Sequence, residues 1–248
     1  MKKLSRLILK KLARKGGGMR PFCSAVVVAA GSASRMQGTD KIFTPLGKRP
    51  VIAWTLQAFQ DCGDVDEVIL VVRPDSIPQA AGICAQYGFE KVTKVVAGGS
   101  TRAESVLNGA AAVSQRARLL AIHDGARPLV TAQLIGDVVK KAAETRAAIA
   151  AVPCVDTIKI QREGFITATP DRNTLVSVQT PQVFDADLIK GILTRAVEEK
   201  WPITDDASAA ERCGVKVAVS TGSYDNIKIT TPTDMVVAAG ILARRGVL

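Results

Sequence analysis

The residues best suited to chemistry in this chain are cations and hydroxyls set behind glycines, and they favour phosphate handling over acid–base work. Gly31 ends the apolar run Ala25–Ala30 and is followed by Ser32-Ala33-Ser34-Arg35-Met36, with Lys41 five residues past the methionine. Small side chains from Ala29 to Ser34 let backbone N–H groups come close to a ligand. Arg35 and Lys41 add two fixed positive charges, so the guest this loop suits is a polyphosphate. Two familiar phosphate loops are excluded by spacing. G-x-G-x-x-G needs glycine where Ala33 and Met36 stand, and Gly47-Lys48 is followed by Arg49 in place of the Ser or Thr of a P-loop.

Further along, Gly98-Gly99-Ser100-Thr101-Arg102-Ala103-Glu104-Ser105 is a glycine turn entering a helix. Thr101 and Glu104 have the spacing of a capping box. Free N–H groups at such a helix start serve equally to hold a base or a phosphate, with Ser105 one turn in. His123-Asp124-Gly125-Ala126-Arg127-Pro128 follows a clean apolar run, which puts Asp124 at the end of a strand, where a magnesium-bound triphosphate needs a carboxylate. His123, the only histidine, reads as a packed strand-end residue rather than a general base. Asp171-Arg172-Asn173, Gln179-Thr180-Pro181-Gln182, Thr204-Asp205-Asp206-Ala207-Ser208 and Asp225-Asn226-Ile227-Lys228 are polar islands that, taken singly, read as loops or caps.

The elements that must position these clusters alternate. Strands are expected at 25–30, 67–73, 91–97, 118–123, 147–153 and 216–220, and helices at 51–59, 77–87, 101–113, 132–146, 185–200, 204–213 and 232–245, with a turn at 45–50. Such alternation implies one doubly wound, mostly parallel sheet, Rossmann-like, with ligands at the C-terminal ends of the strands. The rhythm breaks between Asp156 and Val178. There 157–161 and 165–169 predict two strands joined at Arg162-Glu163-Gly164, a β-hairpin arm of about 156–176 projecting from the sheet. Met235–Ala243, among the longest apolar runs, reads as a buried helix and is too short to span a membrane.

With 248 residues, 47% of them hydrophobic and only 4% aromatic, the chain is enough for one α/β domain with an aliphatic core. Cys23, Cys62, Cys84, Cys154 and Cys213 are scattered and odd in number, which argues against disulfides and zinc and for a cytoplasmic setting. The formal charge of +10 is concentrated at the start. Lys2, Lys3, Arg6, Lys10, Lys11, Arg14, Lys15 and Arg20 are met by no acid in the first twenty residues, and the body is left nearly neutral. Leu4, Leu7, Ile8 and Leu12 make this stretch amphipathic, a form that binds membranes or RNA. The neutral body speaks against either partner. The expectation is that residues 1–20 are a leader outside the 21–248 domain, with Met19, just after Gly16-Gly17-Gly18, as the true start.

Taken together and in order, A-A-G-x-x-x-R-M, G-G-x-x-R-x-x-S-V, H-D-x-A-R-P, D-R-N, T-P-Q-x-F, I-T-D-x-A-S and D-N-I-K-I-T make the stretch from Phe22 to about Leu242 resemble the 2-C-methyl-D-erythritol 4-phosphate cytidylyltransferase family. The resemblance implies a homodimeric enzyme of non-mevalonate isoprenoid synthesis. It would join CTP to a methylerythritol phosphate, release pyrophosphate and need magnesium. Carried over by motif, Ala29, Ala30, Gly31, Gly99, Ser100, Ser105 and Gly125 would contact the nucleotide. Asp124 would organise magnesium and the phosphates with help from Asp225, while Arg35, Lys41 and Lys228 would surround the α-phosphate. Arg127, Thr157, Arg172 and Thr180 would hold the sugar phosphate, with the arm crossing to the other subunit. Two departures stand out. The spacing from Met36 to Lys41 is one residue shorter than the family pattern, and Gly125 replaces a common alanine, a change expected to be harmless for a backbone contact.

The related ribitol-5-phosphate cytidylyltransferases share the first loop and Gln179-Thr180-Pro181-Gln182. Asp171 before Arg172 and Ala126 before Arg127 favour the methylerythritol enzymes.

Overall fold

The structure, a computed structural model, describes residues 20–31 and 41–247; the expectations for Arg35, for Met19 and for the rest of the leader lie outside the described residues. Seven strands form the main sheet: β1 (Cys23–Ala29), β4 (Glu67–Val72), β5 (Val92–Ala97), β6 (Leu119–Asp124), β7 (Ala147–Pro153), β10 (Val176–Asp185) and β11 (Ala218–Thr221). Their spatial order is β11-β7-β10-β6-β1-β4-β5, with every neighbouring pair parallel except those of β10, which runs antiparallel to both β6 and β7. A minimal hairpin of β2 (Pro45–Leu46) and β3 (Arg49–Pro50) replaces the turn expected there.

The central strands are apolar on both faces, which is what a parallel sheet covered by helices on each side requires. In β1, Cys23, Ala25, Val27 and Ala29 enter one core and Val26 enters the other; in β4, Val68, Leu70 and Val72 alternate with Ile69 and Val71 in the same way. The first core is closed by α1 (Val51–Asp61), α2 (Ile77–Tyr87) and α4 (Ala132–Thr145), and the second by α3 (Arg102–Ala112), α5 (Ala186–Glu198) and α6 (Asp206–Arg212). Phe59 of α1 and Phe184 of β10 are fully buried on opposite faces. Each contributes on the order of 2–3 kcal/mol by leaving water.

Four expectations are corrected. The polar island 179–182 lies inside β10, a strand the sequence hides because Pro181 and three polar residues interrupt its apolar alternation. Its ladder with β7 changes register between Val178 and Gln182, so residues 179–181 stand outside regular pairing. The last helix, α7 (Pro232–Arg244), is only partly buried: with both sheet faces already covered, it packs Ala238 and Leu242 against Leu46, Val51, Leu129 and Ile229 and leaves Val236 and Val237 exposed. Arg20, assigned to the leader, belongs to the body, since its guanidinium grips Asp66 at 2.7 Å through both nitrogens. Residues 204–213 yield a shorter helix, because Asp205 is the N-cap of α6.

The expected arm is present as β8 (Ile160–Arg162) and β9 (Phe165–Ala168), an antiparallel pair separate from the main sheet. Glu163 and Gly164 both have positive φ, the pattern of a two-residue hairpin turn. Every residue of both strands is exposed, Phe165 at 76% and Ile166 at 61%. Among the described residues no helix is long and apolar enough to cross a membrane.

Candidate active site

The strand order reverses between β1 and β6: β4 and β5 follow β1 on one side, while β6 lies on the other. A crevice at such a switch point, beyond the C-terminal strand ends, is the natural ligand site of an open α/β sheet. Val28 and Asp124 are paired across these strands, so the Ala29-Ala30-Gly31 exit and the Asp124-Gly125 exit open side by side. The loop before α3 closes onto them. A Cβ on Gly98 would overlap that of Ala30 and stand 2.8 Å from Ser105 Oγ, so glycine there lets the two loops touch. Ser105, buried, accepts the Gly99 N–H at 3.0 Å and donates to the Thr101 carbonyl at 2.9 Å. Thr101 caps α3 by accepting the Glu104 N–H, and Ser100 donates both its N–H and its hydroxyl to the Glu104 carboxylate. Capping thus occupies Glu104.

Gly125 donates its N–H to the Val28 carbonyl at 2.8 Å and accepts from the Thr55 hydroxyl at 2.9 Å. A Cβ would lie 3.0 Å from Ala29 Cβ, 3.1 Å from Ile52 Cδ1 and 3.2 Å from the Val28 oxygen.

Asp124 is the electrostatic centre. Its carboxylate lies 2.8 Å from Lys228 Nζ, 3.4 Å from two nitrogens of Arg102 and 3.9 Å from Arg127 Nε. Burial alone would raise its pKa, but Arg102 and Lys228 prevail and hold it well below the usual carboxylate range. Arg102 is raised, because the carboxylates of Asp206 and Asp124 outweigh the opposing effect of burial. Arg127 is lowered by burial, with Asp124 opposing; its Nη1 donates to the Asn226 carbonyl at 2.7 Å, while its buried Nε has no hydrogen-bond partner among the described residues.

The segment carrying Lys228 is pinned from two sides. Ile229 N–H bonds to the Ala126 carbonyl at 2.8 Å, and the Asn226 side-chain amide donates to the Thr180 carbonyl at 2.9 Å and to Gln179 Oε1 at 3.2 Å. Thr180 leaves the β10 ladder to meet β6. Its hydroxyl accepts the Asp124 N–H at 3.1 Å and lies 3.1 Å from His123 Nδ1. His123 Nε2 faces the Arg127 carbonyl at 3.4 Å, which assigns the ring hydrogen to Nε2 and leaves Nδ1 to accept from Thr180. The Thr180 hydroxyl, expected to hold the sugar phosphate, is therefore turned inward and holds the Asp124 backbone. Burial pushes the His123 pKa down to about 3, so the ring is neutral, in line with its reading as a packed residue.

The geometry thus gathers Ala29, Ala30, Gly31, Gly99, Ser100, Ser105, Asp124, Gly125, Arg127, Thr180 and Lys228 at one end of the sheet. Lys41 is half-buried just before Ile42, whose carbonyl takes the Ile52 N–H at 2.9 Å. Thr157 and Arg172 are not brought there within this chain. Thr157 is exposed beside the arm, and Arg172 donates to the Val155 carbonyl at 2.7 Å at the arm's root. Asp225 is also diverted. Its carboxylate takes Arg244 at 2.6 Å and Arg245 at 3.2 Å, from the end of α7, which lowers its pKa. No group of three or more His, Cys, Asp or Glu that could cage a metal occurs among the described residues. Asp124 alone suits a magnesium ion that brings its remaining ligands as phosphates and water.

Two charged residues packed beside the Asp124 cluster escaped notice. Arg102 and Asp206 each follow a helix cap, Thr101 and Asp205, and capping accounts for the motif without them. Their signal was a charge placed one residue beyond the cap.

The family model described as 2-C-methyl-D-erythritol 4-phosphate cytidylyltransferase matches residues 23–244. The chain belongs to this family. The proteins of that name from Alkaliphilus oremlandii and Halalkalibacterium halodurans are 43% and 44% identical, each over 90% of this chain and over 95% and 97% of their own. The crystal structure of the 4-diphosphocytidyl-2C-methyl-D-erythritol synthase from Anaerococcus prevotii superposes with a TM-score of 0.81 at 32% identity, over 90% of this chain and 96% of that one. The Thermus thermophilus cytidylyltransferase superposes at 0.73 with 30% identity, over 88% and 98%.

Proposed function

We propose that this cytidylyltransferase transfers CMP from CTP to 2-C-methyl-D-erythritol 4-phosphate in isoprenoid synthesis, giving 4-diphosphocytidyl-2-C-methyl-D-erythritol and pyrophosphate. The observation that carries the reading is Asp124 at the end of β6, ringed by Lys228, Arg102 and Arg127 in an enzyme family of this activity. The 4-phosphate, with a second pKa near 6, is already mostly dianionic at neutral pH, so no base is required. One of its oxygens attacks the α-phosphorus of CTP. The bond from that phosphorus to the bridging oxygen breaks, and pyrophosphate leaves with the electron pair. Charge gathers on the non-bridging oxygens and the leaving group, so the residues act by position and by positive charge.

Lys228 holds the α-phosphate with Arg35 and Lys41. Ala29, Ala30, Gly31, Gly99, Ser100, Ser105 and Gly125 form the nucleotide cradle, and Arg127 binds the sugar phosphate. Magnesium, when bound, neutralises triphosphate charge, and Asp124 is the side chain that would hold it. The arm, with Phe165 and Ile166 exposed at its tip, supports a homodimer in which Thr157 and Arg172 serve the partner's site. The five cysteines, none paired, suit a cytoplasmic enzyme.

Pyrophosphate release with CTP and magnesium tests the reading directly. Methylerythritol phosphate should support it, and ribitol 5-phosphate should not; equal rates, or none with either, would reject it.

A further inference from the structure

Among the described residues Asp206 is the one fully buried carboxylate at this end of the sheet, and helix capping does not account for it. Asp205 caps α6, completing a capping box with Ser208, and Gln182 ties the same helix start to β10 through Asp205 Oδ2 and the Ala207 N–H. Neither oxygen of Asp206 has a hydrogen-bond partner among the described residues. Its compensation is the ion pair with Arg102, whose Nη2 lies 2.9 Å from Oδ2. A buried charge held by one partner is costly to keep.

Arg102 stands between two carboxylates at unequal distances, 2.9 Å from Asp206 and 3.4 Å from Asp124. An arginine facing Asp124 alone would close into a bidentate pair of about 2.7–2.9 Å. Asp206 draws the guanidinium back from that geometry. We infer that Asp206 is a positioning residue: by holding Arg102 off Asp124, it keeps the Asp124 carboxylate free to exchange its partners for the incoming nucleotide and its counter-ion. This rests on the nucleotide reading of the site.

The test is calorimetric titration of the full chain with CTP and magnesium. Wild type should bind; if it does not, the site reading falls and the inference with it. Asp206→Asn releases Arg102 onto Asp124, so the nucleotide must break a stronger pair, and affinity should fall roughly tenfold. Its KM for CTP should rise while kcat at saturation stays within about twofold. A mere folding defect would lower the number of binding sites, not their affinity. Adding Arg102→Gln removes the competing cation and both buried charges, so the double variant should return to within about threefold of wild type. Should the single variant fail to fold, the double carries the test by itself. Normal affinity in Asp206→Asn, a fall in kcat with KM unchanged, or a double variant still about tenfold weaker would overturn the inference; the last would mean that Arg102 binds the nucleotide itself.

Discussion

Lys228 Nζ lies 2.8 Å from Asp124 Oδ2 and joins the segment after β11 to the end of β6, two parts of the chain more than a hundred residues apart. The lysine side chain is 40% exposed and the carboxylate 12%, so the pair is buried on one side and open on the other. Such a pair is built to be broken by a ligand carrying charge. Lys228→Ala should lower kcat by about 10²-fold or more with little change in KM for CTP, since removing a preorganised charge donor costs chiefly transition-state stabilisation. Steady-state kinetics over CTP concentration check this. A rise in KM at constant kcat would confine Lys228 to holding Asp124.

His123 gives the fold a pH dependence of defined sign. Its folded pKa is near 3, against about 6.5 unfolded, so between these values the unfolded chain binds a proton that the native chain does not. The stability this contributes is complete above pH 6.5 and is lost as pH falls towards 3. Urea midpoints at pH 7.5 and 5.0 should differ in wild type, and differ less in His123→Asn. Turnover should keep its own acid limb near pH 6 in that variant, because the limb belongs to the substrate phosphate. Loss of that limb would make His123 the base that it is not in this structure.

Much of this was legible in the sequence, for reasons that can be located. β1 from Ala25, β4 from Val68 and β6 up to Ile122 are apolar runs ended by glycine or by a polar residue, so the sheet and the address of Asp124 followed from pattern alone. β10 did not, because Gln179-Thr180-Pro181 looks like a loop until β6 and β7 supply its partners. Asp225 and Lys228 share one motif, yet only Lys228 reaches Asp124. Arg244 and Arg245, which divert Asp225, come from a helix nineteen and twenty residues on, beyond any local pattern. Arg102 and Asp206 were hidden by their caps, and their pairing is purely tertiary.

Gly125→Ala measures how tightly the β6 exit is packed. Ala29 Cβ and the Val28 oxygen are fixed by the sheet, whereas Ile52 Cδ1 ends a movable side chain. The substitution should cost about 1 kcal/mol, with overpacking exceeding the gain from a stiffer unfolded chain. Ile52→Val removes the mobile methyl and should recover part of that loss when combined with it. Thermal melts of the two single variants and the double give the coupling, and strict additivity would show that Ile52 does not set the limit.

The arm yields the sharpest test of assembly. Phe165 and Ile166 at its tip are exposed; if they pack against a second copy, wild type should sediment as a dimer and Phe165→Glu with Ile166→Glu as a folded monomer. Arg172 sits at the arm's root, with no contact to the Asp124 cluster of its own chain. If it completes the partner's site, Lys228→Ala and Arg172→Ala should each be nearly inactive alone. In a mixed dimer one site collects both defects and the other collects neither. Re-pairing equal amounts makes half the dimers mixed, so activity should recover to roughly a quarter of wild type per site. Heterodimers that form without any recovery would mean that each arm serves its own subunit, with Arg172 reaching Asp124 by a movement of the arm.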